Sequence, residues 1–250
     1  MARKWLPPAL LLLALALLWE AGVRLLDVKP YIIPAPSRVL QALWEQRAVW
    51  PGHIWTTLAE ALLGLALSVV FGAASAVWIH FSRIARAAVY PLLVASQTIP
   101  IIVLSPIFIA WFGYEIWGKV AVAVLFAFFP IAVNTIDGLR QTDPDALELL
   151  RSMGASRSQQ FWKLQVPSAL PGFFTGFKMA ATISVVGASV GEWLGAESGL
   201  GMFGRRASNM MKIDLLFASV IILALLGIAL FAGAALLERR LTPWRFNRDK

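Results

Sequence analysis

The feature that most constrains this chain is a series of apolar runs long enough to cross a lipid bilayer. A membrane-spanning helix needs about 20 mostly apolar residues, and such runs recur along the 250 residues. The chain is 59% hydrophobic and only 14% charged, whereas soluble domains carry roughly 45–50% apolar and about 25% charged residues. A soluble fold of this size could not hide that much apolar surface from water. We therefore predict an all-α, polytopic membrane protein.

Six runs are predicted to span the membrane: residues 6–26, 54–82, 87–114, 120–136, 171–194 and 215–237. The first contains Glu20 and Arg24, which are four residues apart and are expected to pair on one helix face. A cleaved signal peptide is the alternative for this run, because Arg3 and Lys4 precede it. The run continues past Trp19 without an obvious small-residue cleavage site, so we predict a retained helix.

The basic residues indicate the orientation of the chain. With the N-terminus in the cytoplasm, thirteen lysines and arginines lie on the inner side, eight lie on the outer side, and Lys178 lies inside a span. Cytoplasmic loops carry the excess of basic residues in membrane proteins. We therefore predict that both termini are cytoplasmic.

The segment between the first two spans is too polar to cross the membrane. A proline-rich turn at residues 34–37 precedes apolar side chains at helical spacing: Val39, Leu40, Leu43 and Trp44. This pattern predicts a capped amphipathic helix with its apolar face in the membrane interface, and a plain connector is the alternative. We therefore divide the chain into residues 1–53, a first helix with this outer segment, and residues 54–250, a core of five spans.

The inner segment, residues 138–170, is predicted to form two short helices. Asp143 can cap the first helix, and Gly154 is expected to end it. Ser156 and Gln159 have the spacing of a capping box that begins the second helix.

Pro167 is expected to end the second helix, which makes this segment a compact cytoplasmic knob suited to docking. A DNA-binding helix-turn-helix is the alternative, because that motif also joins two short helices. A recognition helix must enter a major groove, and a knob tied to the bilayer at both ends leaves little room for a duplex. We therefore expect no nucleic-acid partner.

The knob sequence carries a family resemblance. Glu148-Leu-Leu-Arg-Ser-Met-Gly154, then nine residues, then Leu164-Gln-Val166-Pro167, resembles the cytoplasmic signature of ABC-importer permeases. Leu149 and Leu150 stand where the family has two alanines, while the glutamate, the glycine and the proline are kept. The order of segments over nearly the whole chain is similar to the permease group for alkanesulfonates, taurine, nitrate and thiamine precursors.

This resemblance implies a type I importer permease fold, with six membrane helices and a coupling loop that docks into a groove of an ATPase subunit. It assigns these residues to ATPase coupling: Glu148, Arg151, Gly154, Ala155, Ser156, Arg157 and Pro167. It also implies a homodimer in the bacterial inner membrane, with the solute path along the two-fold axis. The implied partners are two copies of a cytoplasmic ATPase, an extracytoplasmic solute-binding protein and membrane lipid. The permease itself would not hydrolyse ATP and would need no cofactor.

Three stretches are most similar to the branch that imports pyrimidine precursors of thiamine: residues 57–64, 95–100 and 185–195. A riboflavin permease and an alkanesulfonate, taurine or nitrate permease are the alternatives.

Ionisable residues inside spans are costly and indicate function. Glu192, beside Trp193 near the outer end of the fifth span, is predicted to line the path or to contact the solute-delivering protein. An interfacial carboxylate in water is the alternative. Glu60, near the outer end of the second span, is a further path candidate. Its alternative role is structural, either pairing with a cation of a neighbouring helix or reaching outwards.

Polar residues in the third span are also path candidates. Gln97 and Thr98 precede Pro100, which removes a backbone hydrogen bond. Irregular backbone at this depth is tolerated only against protein or a water-filled cavity, so we predict that Gln97 and Thr98 face the path, with helix packing as the alternative. Asn134, near the inner end of the fourth span, is a weaker candidate.

Other functions lack the residues that they need. His53 and His80 have no carboxylate or cysteine set spaced to complete a metal site. The run Gly199-Leu-Gly201-Met-Phe-Gly204 matches a dinucleotide fingerprint, but that motif requires a preceding strand, so we predict a break in the outer loop. An ion-coupled transporter, which would need a carboxylate relay and inverted repeats, and a non-transporting scaffold remain as alternatives.

Overall fold

The computed structural model describes residues 2–246, with side-chain surroundings for residues 6–245. Residues 247–250, which the predicted core domain includes, lie outside the described residues. Within the described part the chain is helical, and its helices are α1 (Ala2–Leu25), α2 (Pro36–Glu45), α3 (Trp50–Phe81), α4 (Arg83–Ser96), α5 (Ile101–Phe112), α6 (Ile116–Arg140), α7 (Pro144–Ser152), α8 (Arg157–Gln160), α9 (Val166–Trp193), α10 (Leu200–Asn209), α11 (Ile213–Leu241) and α12 (Pro243–Phe246).

The first helix is attached to the rest of the protomer at its outer end. None of the apolar core of α1 is buried within the protomer. Glu20 receives a hydrogen bond from the Ser37 backbone N–H at 2.9 Å, at the start of α2. Arg24 Nε donates to Glu20 Oε1 at 2.6 Å, which confirms the predicted pair. The separation of residues 1–53 from residues 54–250 as domains stays a prediction.

The outer segment contains the predicted amphipathic helix, α2, but the predicted cap is absent: Ala35 stands at the N-cap position and makes no side-chain hydrogen bond, and Pro36 is the first residue of the helix. Val39 and Ala42 are buried against Ala218 of α11, while Leu40 and Trp44 are exposed. Packing against α11, and not only the membrane interface, therefore holds this helix in place.

The core of the protomer is α6, which packs between α3 and α9. A Cβ atom added at Gly64 of α3 would lie 2.5 Å from the Ala123 side chain of α6, and one at Gly187 of α9 would lie 2.7 Å from Ala123 Cα. Small residues on both sides of Ala123 thus let three backbones approach closely, which is how membrane helices gain packing contacts in lipid.

The third predicted span is broken. Helices α4 and α5 meet at residues 97–100 with a bend of 102°. Pro100 has no N–H with which to continue α4 and disfavours the helical conformation at Ile99. The described residues therefore contain five continuous helices long and apolar enough to cross a membrane, and the count reaches the predicted six when the bent pair of α4 and α5 is taken as one span.

Pro167 does not end the second short helix, so that prediction was wrong. Helix α8 continues through a π-helical turn, Phe161–Gln165, directly into α9. The Val166 N–H bonds to the Phe161 carbonyl, five residues back. Pro167 consequently lies inside this continuous helix, two residues after the π-helical turn, where the widened turn accommodates a residue that has no N–H to donate.

Candidate functional site

The knob, which we predict to be cytoplasmic, is built from local capping interactions that the sequence predicts. The Asp143 carboxylate receives a hydrogen bond from the Asp145 N–H at 2.9 Å and begins α7. Gly154 follows α7 with φ +78°, and the Ala155 N–H bonds to the Leu150 carbonyl at 2.9 Å. This left-handed glycine and its hydrogen bond satisfy the end of the helix, as predicted.

The capping box at the start of α8 is also confirmed. The Gln159 N–H donates to Ser156 Oγ at 3.3 Å, and the Ser156 N–H donates to Gln159 Oε1 at 2.8 Å. Each side chain thus satisfies a backbone group of the other residue, which fixes the turn between α7 and α8.

Most of the predicted coupling residues lie on the surface of this knob. The exposed ones are Glu148, Arg151, Gly154, Ser156 and Arg157. Ala155 is half-buried, and Pro167 is half-buried in α9. The structure therefore brings six of the seven together on the knob and places Pro167 at its base.

Sequence reasoning missed three apolar side chains of this surface. Leu149, Met153 and Trp162 are 62%, 73% and 65% exposed, and we call them the knob patch. No residue of α7 is buried, although Leu149 and Met153 have the spacing of an amphipathic helix. This spacing was the signal that the sequence offered: an amphipathic helix too short to have a core of its own must present its apolar face to something else. Large apolar side chains that stay exposed on so small a segment favour docking against another protein.

The base of the knob is tied to the helix bundle. His80, at the inner end of α3, lies 3.1 Å from Gln165 Oε1 of the π-helical turn. Phe161 packs with Leu139 of α6 and Ala169 of α9. A force on the knob therefore reaches α3, α6 and α9 through short contacts.

A second polar cluster lies at the outer end of the bundle. Thr57 Oγ1 of α3 donates to Glu192 Oε1 of α9 at 2.6 Å and receives the Leu200 N–H at 2.9 Å. The Gly201 N–H donates to Glu192 Oε2 at 2.5 Å. Glu192 therefore caps the N-terminus of α10, where a negative charge is stabilised by the helix dipole.

Glu60 belongs to the same cluster. Its Oε1 lies 3.6 Å from the Lys119 ammonium of α6, so it pairs with a cation of a neighbouring helix, as the structural alternative expects. Glu60 and Glu192 are each 1% exposed, which does not fit a carboxylate in interfacial water. We call Thr57, Glu60, Lys119 and Glu192 the outer network. A path role for Glu60 and Glu192 stays a prediction.

The remaining path candidates lie elsewhere. Gln97 and Thr98 are exposed at the break between α4 and α5, and Thr98 Oγ1 donates to the Ala95 carbonyl at 2.7 Å. Asn134 Nδ2 donates to the Pro130 carbonyl at 2.8 Å. The five path candidates therefore form no single site in one protomer.

The glycine run near the outer surface is a helix start. Gly199, with φ +116°, precedes α10, and His53 Nδ1 accepts its N–H at 3.0 Å. Gly201 and Gly204 lie inside α10, so the predicted break is confined to Gly199. Among residues 2–246, no three His, Asp or Glu side chains are grouped to hold a metal ion.

Comparison with known proteins agrees with the resemblance of the knob sequence. Residues 68–243 match the family model described as binding-protein-dependent transport system inner membrane component. The chain is 47% identical, over 96% of both chains, to the formylaminopyrimidine transport permease protein ThiX of Halalkalibacterium halodurans. It is 34% identical to the riboflavin transport system permease protein RibX of Chloroflexus aurantiacus, over 93% of this chain and 88% of that one. A solved inward-facing MetNI methionine ABC transporter matches with a TM-score of 0.67 and 22% identity, over 78% of this chain and 96% of that one.

Proposed function

The chain belongs to the binding-protein-dependent transport system inner membrane components and is the permease of an ABC importer, and from this premise we propose that its solute is a pyrimidine precursor of thiamine. The observation that carries the proposal is the 47% identity to a formylaminopyrimidine permease over 96% of both chains. Riboflavin is the second candidate, supported by the weaker 34% identity to a riboflavin permease.

The proposed assembly is a homodimer with the solute path between the two copies. Its support is the break between α4 and α5, where Gln97 and Thr98 are exposed in one protomer. Irregular backbone and polar side chains at membrane depth require protein or water beside them. A second copy facing this break would supply both, and Gln97 and Thr98 would then offer hydrogen bonds to a neutral polar heterocycle.

The proposed partners are two copies of a cytoplasmic ATPase and an extracytoplasmic binding protein. The knob patch of Leu149, Met153 and Trp162, with Glu148 and Arg151 beside it, is the surface that we assign to the ATPase. This assignment requires both termini of the chain to be cytoplasmic, because α7 and α8 must face the side where ATP is present. Closure of the ATPases would draw the two knobs together and alternate the path between its two open states.

In this mechanism the permease residues bind and orient the solute and transmit the movement of the ATPase, while the partner hydrolyses ATP. The short contacts from His80 to Gln165 and from Phe161 to Leu139 support transmission from the knob into the bundle. At the opposite end, Glu192 holds α10 against α3. A change in the angle of α9 would therefore move both the knob and the outer surface.

The experiment is uptake of labelled formylaminopyrimidine and hydroxymethylpyrimidine in thiamine-starved cells, with and without the permease. A Glu148→Lys variant tests the coupling role, and Glu45→Lys, which changes an exposed acid on the outer side, is its control. We expect uptake to require the permease and to persist in the presence of excess riboflavin. The Glu148→Lys variant should lose uptake while its amount in the membrane stays normal, and the Glu45→Lys variant should keep uptake.

Each other outcome contradicts a specific part of the proposal. Uptake abolished by excess riboflavin would transfer the chain to the riboflavin class. Full uptake by Glu148→Lys would refute the coupling assignment. Uptake that depends on the proton gradient and continues without ATP would refute the ATP-driven mechanism.

A further inference from the structure

A buried carboxylate near the inner end of α11 holds two cations from different parts of the chain. Glu238 is 3% exposed. Its Oε2 lies 2.6 Å from Lys178 Nζ of α9, and its Oε1 lies 2.6 Å from Arg245 Nη1 of α12. We call these three residues the inner triad. Lys178 lies inside the fifth predicted span, and Glu238 gives it a partner.

The triad is a strong connection because of its burial. Charge-assisted hydrogen bonds are short and about twice as strong as neutral ones, and a buried ion is costly to leave unpaired. Arg245 is the least buried member, with 46% of its side chain exposed. Removing the Lys178 charge breaks the ion pair between α9 and α11 but leaves Glu238 paired with Arg245, whereas removing the Glu238 charge leaves two cations unpaired.

The triad also lies where the knob joins the bundle. Trp244 and Arg245 of α12 line a cleft of about 310 Å³ together with Pro167, Ser168 and Pro171 of α9. Pro167 is in the first turn of α9, which the π-helical turn connects directly to α8 of the knob. The C-terminal segment therefore lies beside the stretch of α9 that receives any motion of the knob.

Helices α9 and α11 are joined again at the outer end. Leu200 of α10 packs against Ala218 and Ile222 of α11, and Glu192 of α9 caps that same α10. Between these two ends α9 and α11 also pack directly, with Ala180 and Ala181 of α9 in one apolar cluster with Ala234 of α11. The triad adds a charged connection near the knob to this apolar packing.

We propose that Glu238, Lys178 and Arg245 are positioning residues for transport, which make α9 and α11 respond as one body when the ATPase moves the knob. This proposal rests on the proposed coupling role of the knob. Without the triad, α9 would follow the knob while α11 lagged behind, so ATP would be hydrolysed without opening the path. The effect is a loss of coupling between two sites and not a loss of assembly.

The test uses the complete complex, reconstituted with its ATPase and binding protein in proteoliposomes. The main variant is Lys178→Gln, which breaks the pair between α9 and α11 while Glu238 keeps Arg245. Lys178→Arg is the conservative rescue, and Arg240→Gln is the control, because Arg240 is an exposed cation at the same end of α11. We expect Lys178→Gln to assemble and to hydrolyse ATP while solute uptake per ATP falls at least about fivefold, the lower end of coupling between distant sites. Lys178→Arg should recover most of this loss, and Arg240→Gln should behave as the wild type. Unchanged uptake per ATP in Lys178→Gln would overturn the proposal.

A second measurement decides the matter independently of the solute. In the wild-type complex, ATP binding should change amide hydrogen exchange at the inner ends of α9 and α11 together. In Lys178→Gln, which removes the ion pair between α9 and α11, the change should be confined to α9. If both helices still respond together in the variant, or if neither responds in the wild type, the triad does not couple them. A normal exchange result without uptake of the thiamine precursor would instead count against the proposed solute alone.

Discussion

Replacement of Gly154 tests whether the knob must keep its turn in order to dock. Gly154 has φ +78°, and a Cβ atom added there would meet nothing within 4 Å. The penalty for a larger residue is therefore confined to the backbone. An L-residue in the left-handed region costs roughly 1–2 kcal/mol, while asparagine tolerates it better.

The size of the expected effect follows from this penalty. If the ATPase binds only the observed turn, its affinity should fall by about 5- to 30-fold in Gly154→Ala, since each 1.4 kcal/mol is tenfold. Gly154→Asn should lose less affinity than Gly154→Ala, and Gly154→Val should lose more, because a positive φ is least tolerable for a β-branched residue.

The assay is binding of the isolated ATPase to the permease in nanodiscs, together with membrane abundance of each variant. Gly52→Ala is the matched control, because a Cβ atom there also meets nothing within 4 Å and Gly52 lies within α3. That variant should bind the ATPase normally. If the wild type and the variants with asparagine, alanine or valine at position 154 all bind the ATPase with equal affinity, the reasoning is refuted, because docking would then not depend on the left-handed turn.

Three further predictions address other parts of the protein. Thr57→Val should destabilise the permease by at least about 2 kcal/mol, because it removes the hydroxyl that donates to Glu192 Oε1 and accepts from the Leu200 N–H. Its melting temperature should fall by about 4 °C or more, whereas Thr57→Ser, which keeps the hydroxyl, should melt near the wild type. Gly187→Val should lower the free energy of unfolding by about 3 kcal/mol or more, because the valine side chain would overlap α6. We expect low membrane abundance and a lower melting temperature, and a wild-type melting curve would contradict the prediction. Met153→Asp should change the free energy of unfolding by no more than about 0.5 kcal/mol, since Met153 is 73% exposed. The same variant should fail to bind the ATPase in a pull-down, and retained binding would exclude the knob patch as the docking surface.

Local features of the fold were predictable from sequence because they depend on neighbouring residues. The caps at Asp143, Gly154 and Ser156 use backbone groups within a few residues of each side chain. The pair of Glu20 and Arg24 is likewise one helical turn apart. Such interactions form in any helix with that sequence, so their prediction needed no knowledge of the tertiary structure.

Features that combine several local effects were predicted less well. Pro100 indicated a disturbed helix, but the 102° bend between α4 and α5 depends on what packs beside the break. Pro167 was predicted to end a helix, yet the π-helical turn before it absorbs the missing hydrogen bond. The sequence predicted a loop where α10 lies, because Gly201 and Gly204 have low helix propensity. In the structure these two glycines lie within α10 at positions where neighbouring residues leave no room for a Cβ atom.

The sequence by itself determined that the chain crosses the membrane, which segments do so, and that a capped knob of the importer type lies between two spans, because hydrophobic transfer and helix capping act over short stretches of chain. Only the tertiary structure decided which buried charges meet. Thr57 and Glu192 are 135 residues apart in sequence, and Lys178 and Glu238 are 60 apart. Their contacts depend on how each helix is rotated and which neighbours it packs against. That arrangement is set by close contacts along whole helices, and no local pattern of residues specifies it.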